Sequence, residues 1–222
     1  MPTALIIGAS RGIGLELARQ YRADNWRVIA TARKPEDLAR LSALGAEAHA
    51  LDVTSVDAVA GFGWKLDDER LDVAFLNAGV HGPRHDGFPT QQDFDTVMHT
   101  NVLAAMRLLP MICPLLAANR GRLGVLSSRM GSIGARTSAS GTLYRASKAA
   151  LNSVLADTAL AFGPKGVIAV AFHPGWVKTD MGGSGADLPV EDSVRGLRAT
   201  LANRKPADNG HFFNYDGTPI PW

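Results

Sequence analysis

Tyr144 and Lys148 stand four residues apart in a segment of helical periodicity, so their side chains share one helical face. A free tyrosine has a pKa of about 10, too high for ready proton exchange near neutrality. A neighbouring ammonium favours the phenolate and lowers that value. The pair is therefore expected to act as a proton donor or acceptor, Tyr144, and its electrostatic tuner, Lys148. The same spacing also occurs in ordinary helices as core packing beside a solvated lysine, so its meaning depends on what surrounds it. Ser127 and Ser128 close a predicted strand 16 residues before Tyr144. A hydroxyl there can donate to a carbonyl oxygen and stabilise charge that grows on it. Successive strand residues face opposite ways, so one serine points at the site, and Ser128 is preferred.

A second constellation lies near the N-terminus. A short apolar run leads into Gly8-Ala9-Ser10-Arg11-Gly12-Ile13-Gly14 and then into a helix. Glycines allow a tight turn and close approach of a pyrophosphate, whose charge the N–H groups at the helix start can hold. Glycines also serve plain turns. The placement after a strand and before a helix favours dinucleotide binding by Gly8, Ser10, Gly12, Ile13 and Gly14. At the end of the second strand an NAD site carries an acid, but here the chain reads Thr31-Ala32-Arg33-Lys34. Arg33, with Arg11 from the glycine turn, suits a 2′-phosphate, so NADPH is the expected cofactor. The competing reading leaves both arginines as solvated surface residues. Asp52, with Val53 beside it, is placed to meet the adenine, or else Asp52 caps the helix that follows.

The elements that must position these residues alternate. Strands are predicted over 4–7, 27–31, 47–51, 73–76, 122–127, 167–172 and 211–214, and most are apolar throughout, as strands buried on both faces are. Helices are predicted over 12–23, 35–44, 55–65, 91–118, 144–162 and 190–201. The pattern predicts one α/β domain over residues 1–222, a doubly wound parallel sheet of about seven strands with helices on both faces. Gly/Pro-rich loops at 80–89 and 182–189 follow strand ends and are candidate walls of a substrate pocket. His81, His85, Met130, Trp176 and Met181 could line it, and simple packing accounts for each equally well.

Bulk properties narrow the partners. A net charge of +2 with no dense Lys/Arg run gives no nucleic-acid arm and no polybasic membrane patch. The lone cysteine, Cys113, permits no intramolecular disulfide and points to a reducing compartment. The N-terminal apolar run is too short for a signal segment or a membrane span, so the cytoplasm is expected. The six histidines show no metal-ligand spacing, and no metal site is expected.

Together these motifs resemble the short-chain dehydrogenase/reductase family, a Rossmann-type fold, over nearly the whole chain. Leu76-Asn77-Ala78-Gly79 resembles its Asn-Ala-Gly motif, which supports the sheet and the adenosine side, and Thr100-Asn101 resembles its helix asparagine. His173-Pro174-Gly175-Trp176-Val177-Lys178-Thr179 resembles the segment that meets the nicotinamide carboxamide, with Pro174, Gly175, the Val177 backbone and the Thr179 hydroxyl in contact. Two departures stand out: Ile7 where the family often has threonine, and a longer spacing from Ser128 to Tyr144. The short length and the ending Phe212-Phe213-Asn214-Tyr215-Asp216-Gly217 resemble the C-factor-type and sniffer-type carbonyl reductases. The resemblance implies an NADP-dependent oxidoreductase acting on a small carbonyl or alcohol, assembled as a homodimer or homotetramer. It implies that Lys148 holds the nicotinamide ribose and that the Asn101 backbone holds a water linking Lys148 to solvent. The alternative is a nucleotide-binding signalling protein of C-factor type with little catalysis. The intact Ser128/Tyr144/Lys148 set favours the enzyme.

Overall fold

The computed structural model describes residues 1–83 and 88–222. Seven strands form one sheet: β1 (Thr3–Ile7), β2 (Arg27–Ala32), β3 (Glu47–Ala50), β4 (Val73–Leu76), β5 (Arg122–Leu126), β6 (Ile168–His173) and β7 (Phe212–Asn214). Their order is β3-β2-β1-β4-β5-β6-β7, and every pairing is parallel. The connecting helices are α1 (Gly12–Ala23), α2 (Pro35–Ala43), α3 (Val56–Lys65), α4 (Gln91–Met98), α5 (Ala104–Ala117), α6 (Thr142–Phe162) and α7 (Val190–Ala202).

Alternation along each strand sorts the core into two layers. In β1, Leu5 and Ile7 join the layer built with Phe62 of α3, Ile112 of α5 and Leu151 of α6. Ala4 and Ile6 join the opposite layer, with Leu17 of α1, Leu41 of α2 and Leu197 of α7. This two-sided burial explains the unbroken apolar runs of the strands. The strand order reverses at β1, next to β2 and β4, and in such sheets ligands bind beyond the carboxyl ends of the strands at that point.

One predicted element differs in form. The stretch 91–118, read as a single helix, is interrupted by a π-helical turn at His99–Leu103. Among the described residues Gln91–Ala117 is long and apolar enough to cross a membrane. Its Leu108, Ile112 and Leu116 are buried in the core layer on one face of the sheet.

The chain also returns to its own middle. Trp222 stacks on Phe212 with ring centroids 5.6 Å apart. Its carbonyl accepts hydrogen bonds from the Ile133 and Gly134 N–H groups, both at 2.8 Å, and from the Ser132 hydroxyl at 3.1 Å. Residues 221–222 thus pin the turn that follows Ser128.

Candidate functional site

The β1–α1 turn is held from three sides. Gly8 adopts φ +87°, a left-handed conformation that suits glycine. Its N–H donates to the Thr31 hydroxyl at 3.0 Å, and the Ala9 N–H donates to the Thr31 carbonyl at 2.7 Å. The Asn77 side-chain amide donates to the Gly8 carbonyl at 2.6 Å, so the Asn-Ala-Gly segment after β4 braces the glycine turn. A Cβ on Gly14 would lie 2.1 Å from the Gly8 oxygen and 2.6 Å from Asn77 Nδ2, which leaves room for hydrogen alone. Ile13 packs into the core, and the Ser10 carbonyl accepts from Arg40 Nη1 at 3.0 Å.

At the adenosine end the two expected basic groups, Arg11 and Arg33, lie at the surface. Arg11 forms an ion pair of 2.7 Å with Asp180, in the loop after β6. Arg33 is exposed, and the basic group touching the glycine turn from α2 is Arg40, which sequence reasoning passed over. Asp52 does not cap α3. Its Oδ1 accepts from the Thr54 N–H at 2.9 Å and hydroxyl at 2.7 Å, while Ser55 caps the helix by accepting from the Ala58 N–H. Those Thr54 bonds hold the Asp52 carboxyl below its ordinary range. Val53 is buried beside it.

Tyr144, Lys148, Ser128 and Asn101 converge at the end of β5 and the start of α6, and all four are buried. Helix α6 begins at Thr142, two residues before the predicted start, after Gly141 in the left-handed region. The Tyr144 phenol is hydrogen-bonded to the Ser128 side chain. Ser128 Oγ also accepts from the Met130 N–H at 3.1 Å and starts a 3₁₀ turn there. Ser127 faces the other way and donates to Asn152 Oδ1 at 2.6 Å. Lys148 Nζ donates to the Leu126 carbonyl at 2.8 Å and lies 5.8 Å from the centre of the Tyr144 ring.

The electrostatics differ from the simple expectation that lysine lowers the tyrosine. Burial pushes the Tyr144 phenol up to about 12, opposed by the Ser128 hydrogen bond. Burial also pushes the Lys148 ammonium down to about 8. Desolvation penalises both charged forms, and the ammonium spends its hydrogen bond on a backbone carbonyl rather than on the phenol.

Asn101 sits in the π-helical turn, a feature that recurs at functional sites. Its side chain clamps the backbone of Val80, accepting from the N–H at 2.8 Å and donating to the carbonyl at 2.9 Å. Its amide also donates to the Ser147 hydroxyl, which in turn donates to the Tyr144 carbonyl. Gly79 packs against both Asn101 and Lys148. The clamp sets the next residue, His81, against the phenol: the two rings stack 4.5 Å apart at 21°. Ala78 is tied to β1 through its N–H, which donates to the Ile7 carbonyl at 2.9 Å.

The segment after β6 closes the remaining side. Val177 bridges Leu188 in parallel register, and the Lys178 N–H donates to the Leu188 carbonyl at 2.9 Å. Thr179 rests on Gly12, and its Oγ1 accepts from the Gly182 N–H at 3.1 Å. Gly175 lies against Leu188 and Tyr215, and the Pro174 carbonyl accepts from the Ser193 hydroxyl. Trp176 donates to the Gly182 carbonyl and braces this loop, and Met181 is exposed. His85 lies outside the described residues.

Known proteins resemble this chain in sequence and in fold. Residues 2–187 match the model of the short chain dehydrogenase family. The C-signal protein of Myxococcus xanthus is 39% identical over 154 residues, covering 68% of this chain and 93% of that protein. The carbonyl reductase Sniffer of D. melanogaster superposes with a TM-score of 0.89 at 31% identity, covering 100% of both chains. A carbonyl reductase from Pseudomonas aeruginosa PAO1 in complex with NADP gives a TM-score of 0.85 at 33% identity, again covering 100% of both. With the glycine turn, the Asn-Ala-Gly brace and the Tyr144/Lys148 pair in one sheet of this topology, the chain belongs to the short-chain dehydrogenase/reductase family of oxidoreductases, beside the C-factor-type and sniffer-type members.

Proposed function

We propose that this protein reduces a ketone or aldehyde to its alcohol with NADPH, or runs the reverse reaction, with Tyr144 as the proton donor. The observation that carries the reading is the meeting of the Tyr144 phenol, the Ser128 hydroxyl and the Lys148 ammonium beyond β5, at the same carboxyl end of the sheet as the glycine turn. The turn fits a dinucleotide, since Gly8 and Gly12 take left-handed conformations that bring the chain tightly from β1 into the N-terminus of α1, and no acid stands at 31–34 to repel a 2′-phosphate. Gly8, Ser10, Gly12, Ile13 and Gly14 would hold the pyrophosphate, Arg33 and Arg11 the 2′-phosphate, and Asp52 and Val53 the adenine. Asn77, Ala78 and Gly79 would support the adenosine side. Pro174, Gly175, Val177 and Thr179 would meet the carboxamide, and Lys148 the nicotinamide ribose.

NADPH, when bound, supplies the hydride. The chain supplies the rest. Tyr144 and Ser128 donate hydrogen bonds to the substrate carbonyl oxygen, which stabilises the charge that grows there. A phenol held at about 12 keeps its proton through the neutral range, so Tyr144 enters the reaction as an acid. As the oxygen becomes an alkoxide it takes that proton, and the Lys148 ammonium steadies the phenolate left behind. Lys148, at about 8, is charged below that pH and neutral above it. Carbonyl reduction is expected to hold a plateau at lower pH and to fall as pH rises past about 8. In Lys148→Arg the fall should move to higher pH or vanish, because guanidinium keeps its charge. An unmoved fall would take Lys148 out of this role.

The test of the whole reading is cofactor oxidation followed by absorbance with a panel of aldehydes, ketones and quinones, NADPH beside NADH. Turnover should favour NADPH, and Arg33→Ala should lower that preference about tenfold, the share of one charge-assisted contact at an exposed site. A preference unchanged in Arg33→Ala would remove Arg33 from the 2′-phosphate. Tight NADPH binding with no turnover across the panel would favour the sensing role. The reading carries a cytoplasmic location and assembly as a homodimer or homotetramer. Met106 of α5 and Leu160 of α6, both exposed, suit helix pairing between copies.

A further inference from the structure

Proton delivery needs the Tyr144 oxygen at a fixed point, because a reacting group misplaced by about 1 Å loses much of its effect. The two polar groups beside the phenol are also committed elsewhere. Ser128 Oγ accepts from the Met130 N–H, and Lys148 Nζ donates to the Leu126 carbonyl and stays 5.8 Å from the ring centre. The ring itself is met face to face by His81, with centroids 4.5 Å apart and planes 21° from parallel. Among the described residues no other ring stacks on Tyr144.

A closed circuit of bonds keeps the two rings together. Asn101 grips the Val80 backbone with both ends of its amide, directly before His81. The same amide donates to the Ser147 hydroxyl, which donates to the Tyr144 carbonyl. One side chain thus ties the two backbone segments that carry the stacked rings. On the far side of His81, Gly82 adopts φ +79°, and a Cβ there would lie 2.6 Å from Val97 of α4. The chain leaves the stack along a path that glycine takes without strain. We infer that His81 is a positioning residue for the proton donor: its ring holds the Tyr144 ring flat against it, so that the phenol oxygen stays at Ser128 and faces the substrate carbonyl. The inference rests on the carbonyl-reductase reading and adds to it a residue that acts through Tyr144. Imidazole suits a half-buried position of this kind, because it offers a flat face to the phenol and a polar edge to its surroundings.

His81→Ala and His81→Phe separate the stack from any chemistry of the imidazole. Alanine removes the ring, and phenylalanine keeps a flat face without nitrogens. With NADPH and a carbonyl compound that the native protein reduces, kcat should fall about tenfold in His81→Ala, or about 1.4 kcal/mol, the worth of one aromatic pair. KM and NADPH affinity should stay within about twofold. His81→Phe should restore kcat to within about threefold. Unchanged kcat in His81→Ala, an equal loss in both variants, or a loss confined to KM would each overturn the inference. A second readout does not depend on turnover. Tyrosine labelled with carbon-13 at the phenol carbon gives one resonance for each of the three tyrosines, and that of Tyr144 is the one missing in Tyr144→Phe. It should broaden and move toward the position of a solvated phenol in His81→Ala, and keep its place in His81→Phe. An unmoved resonance in His81→Ala would likewise sink the idea. If the native protein reduces no compound of the panel, the reductase reading falls, and this resonance still decides whether His81 holds the phenol.

Discussion

Tyr144→Phe is expected to lower carbonyl turnover by about a thousandfold or more, while NADPH binds within about threefold of its normal affinity. The magnitude is that of a positioned proton donor, which contributes about a hundred- to ten-thousandfold. The substitution removes one oxygen and keeps the ring, so the stack against His81 and the packing of α6 survive. The structural loss is confined to the hydrogen bond with Ser128. Steady-state rates, a fluorescence titration with NADPH and a thermal melt would check it. Turnover and cofactor affinity falling together would make Tyr144 a packing residue. Retained turnover would mean that another group delivers the proton.

Gly14→Ala is expected to weaken NADPH binding by about a hundredfold and to lower the melting temperature by several degrees. The added methyl would lie 2.1 Å from the Gly8 carbonyl oxygen and 2.6 Å from the Asn77 amide. Neither can yield alone: the Asn77 amide is bonded to the Gly8 carbonyl, and the Gly8 N–H is bonded to Thr31. The clash must therefore move the whole turn, and overpacking of this kind costs about 1–3 kcal/mol or more. Gly61 of α3 is the control, because a Cβ there meets nothing within 4 Å. Gly61→Ala should leave cofactor affinity intact and stabilise the helix by up to about 1 kcal/mol. Equal behaviour of the two variants would refute the cradle.

The sequence and the structure agree where the cause is local. Apolar runs such as Ala4–Ile7 reveal strands buried on two faces, and the Tyr144–Lys148 spacing reveals a shared helical face. The strand–glycine–helix order located the turn. The sequence is silent where a partner is distant in the chain. The ion pair of Arg11 with Asp180 joins residues 169 apart, and nothing in the glycine turn announces it. Thr31 is a strand residue, as its pattern predicts, but its bonds to Gly8 and Ala9 follow only from β1 and β2 lying side by side. The π-helical turn at His99–Leu103 has no compositional mark, since the same residues suit an α-helix. The rise in the Tyr144 pKa was hidden for a related reason. Spacing places the ammonium near the phenol, but the depth of burial and the capture of Lys148 by the Leu126 carbonyl belong to the folded site.

The grip of residues 221–222 on the turn after Ser128 bears on the order in which the molecule becomes competent. Ser132 and its partners in that contact are separated by 89 and 90 positions along the chain. During synthesis β1 to β4 emerge first, and with them the glycine turn and its Asn77 brace. Ser128 gains its final support only after β7 has docked and the chain beyond it has folded back. Cutting away residues 221–222 is therefore expected to loosen the turn after Ser128 and to lower turnover, while the glycine turn and its Asn77 brace, which make no contact with those residues, keep their bonds.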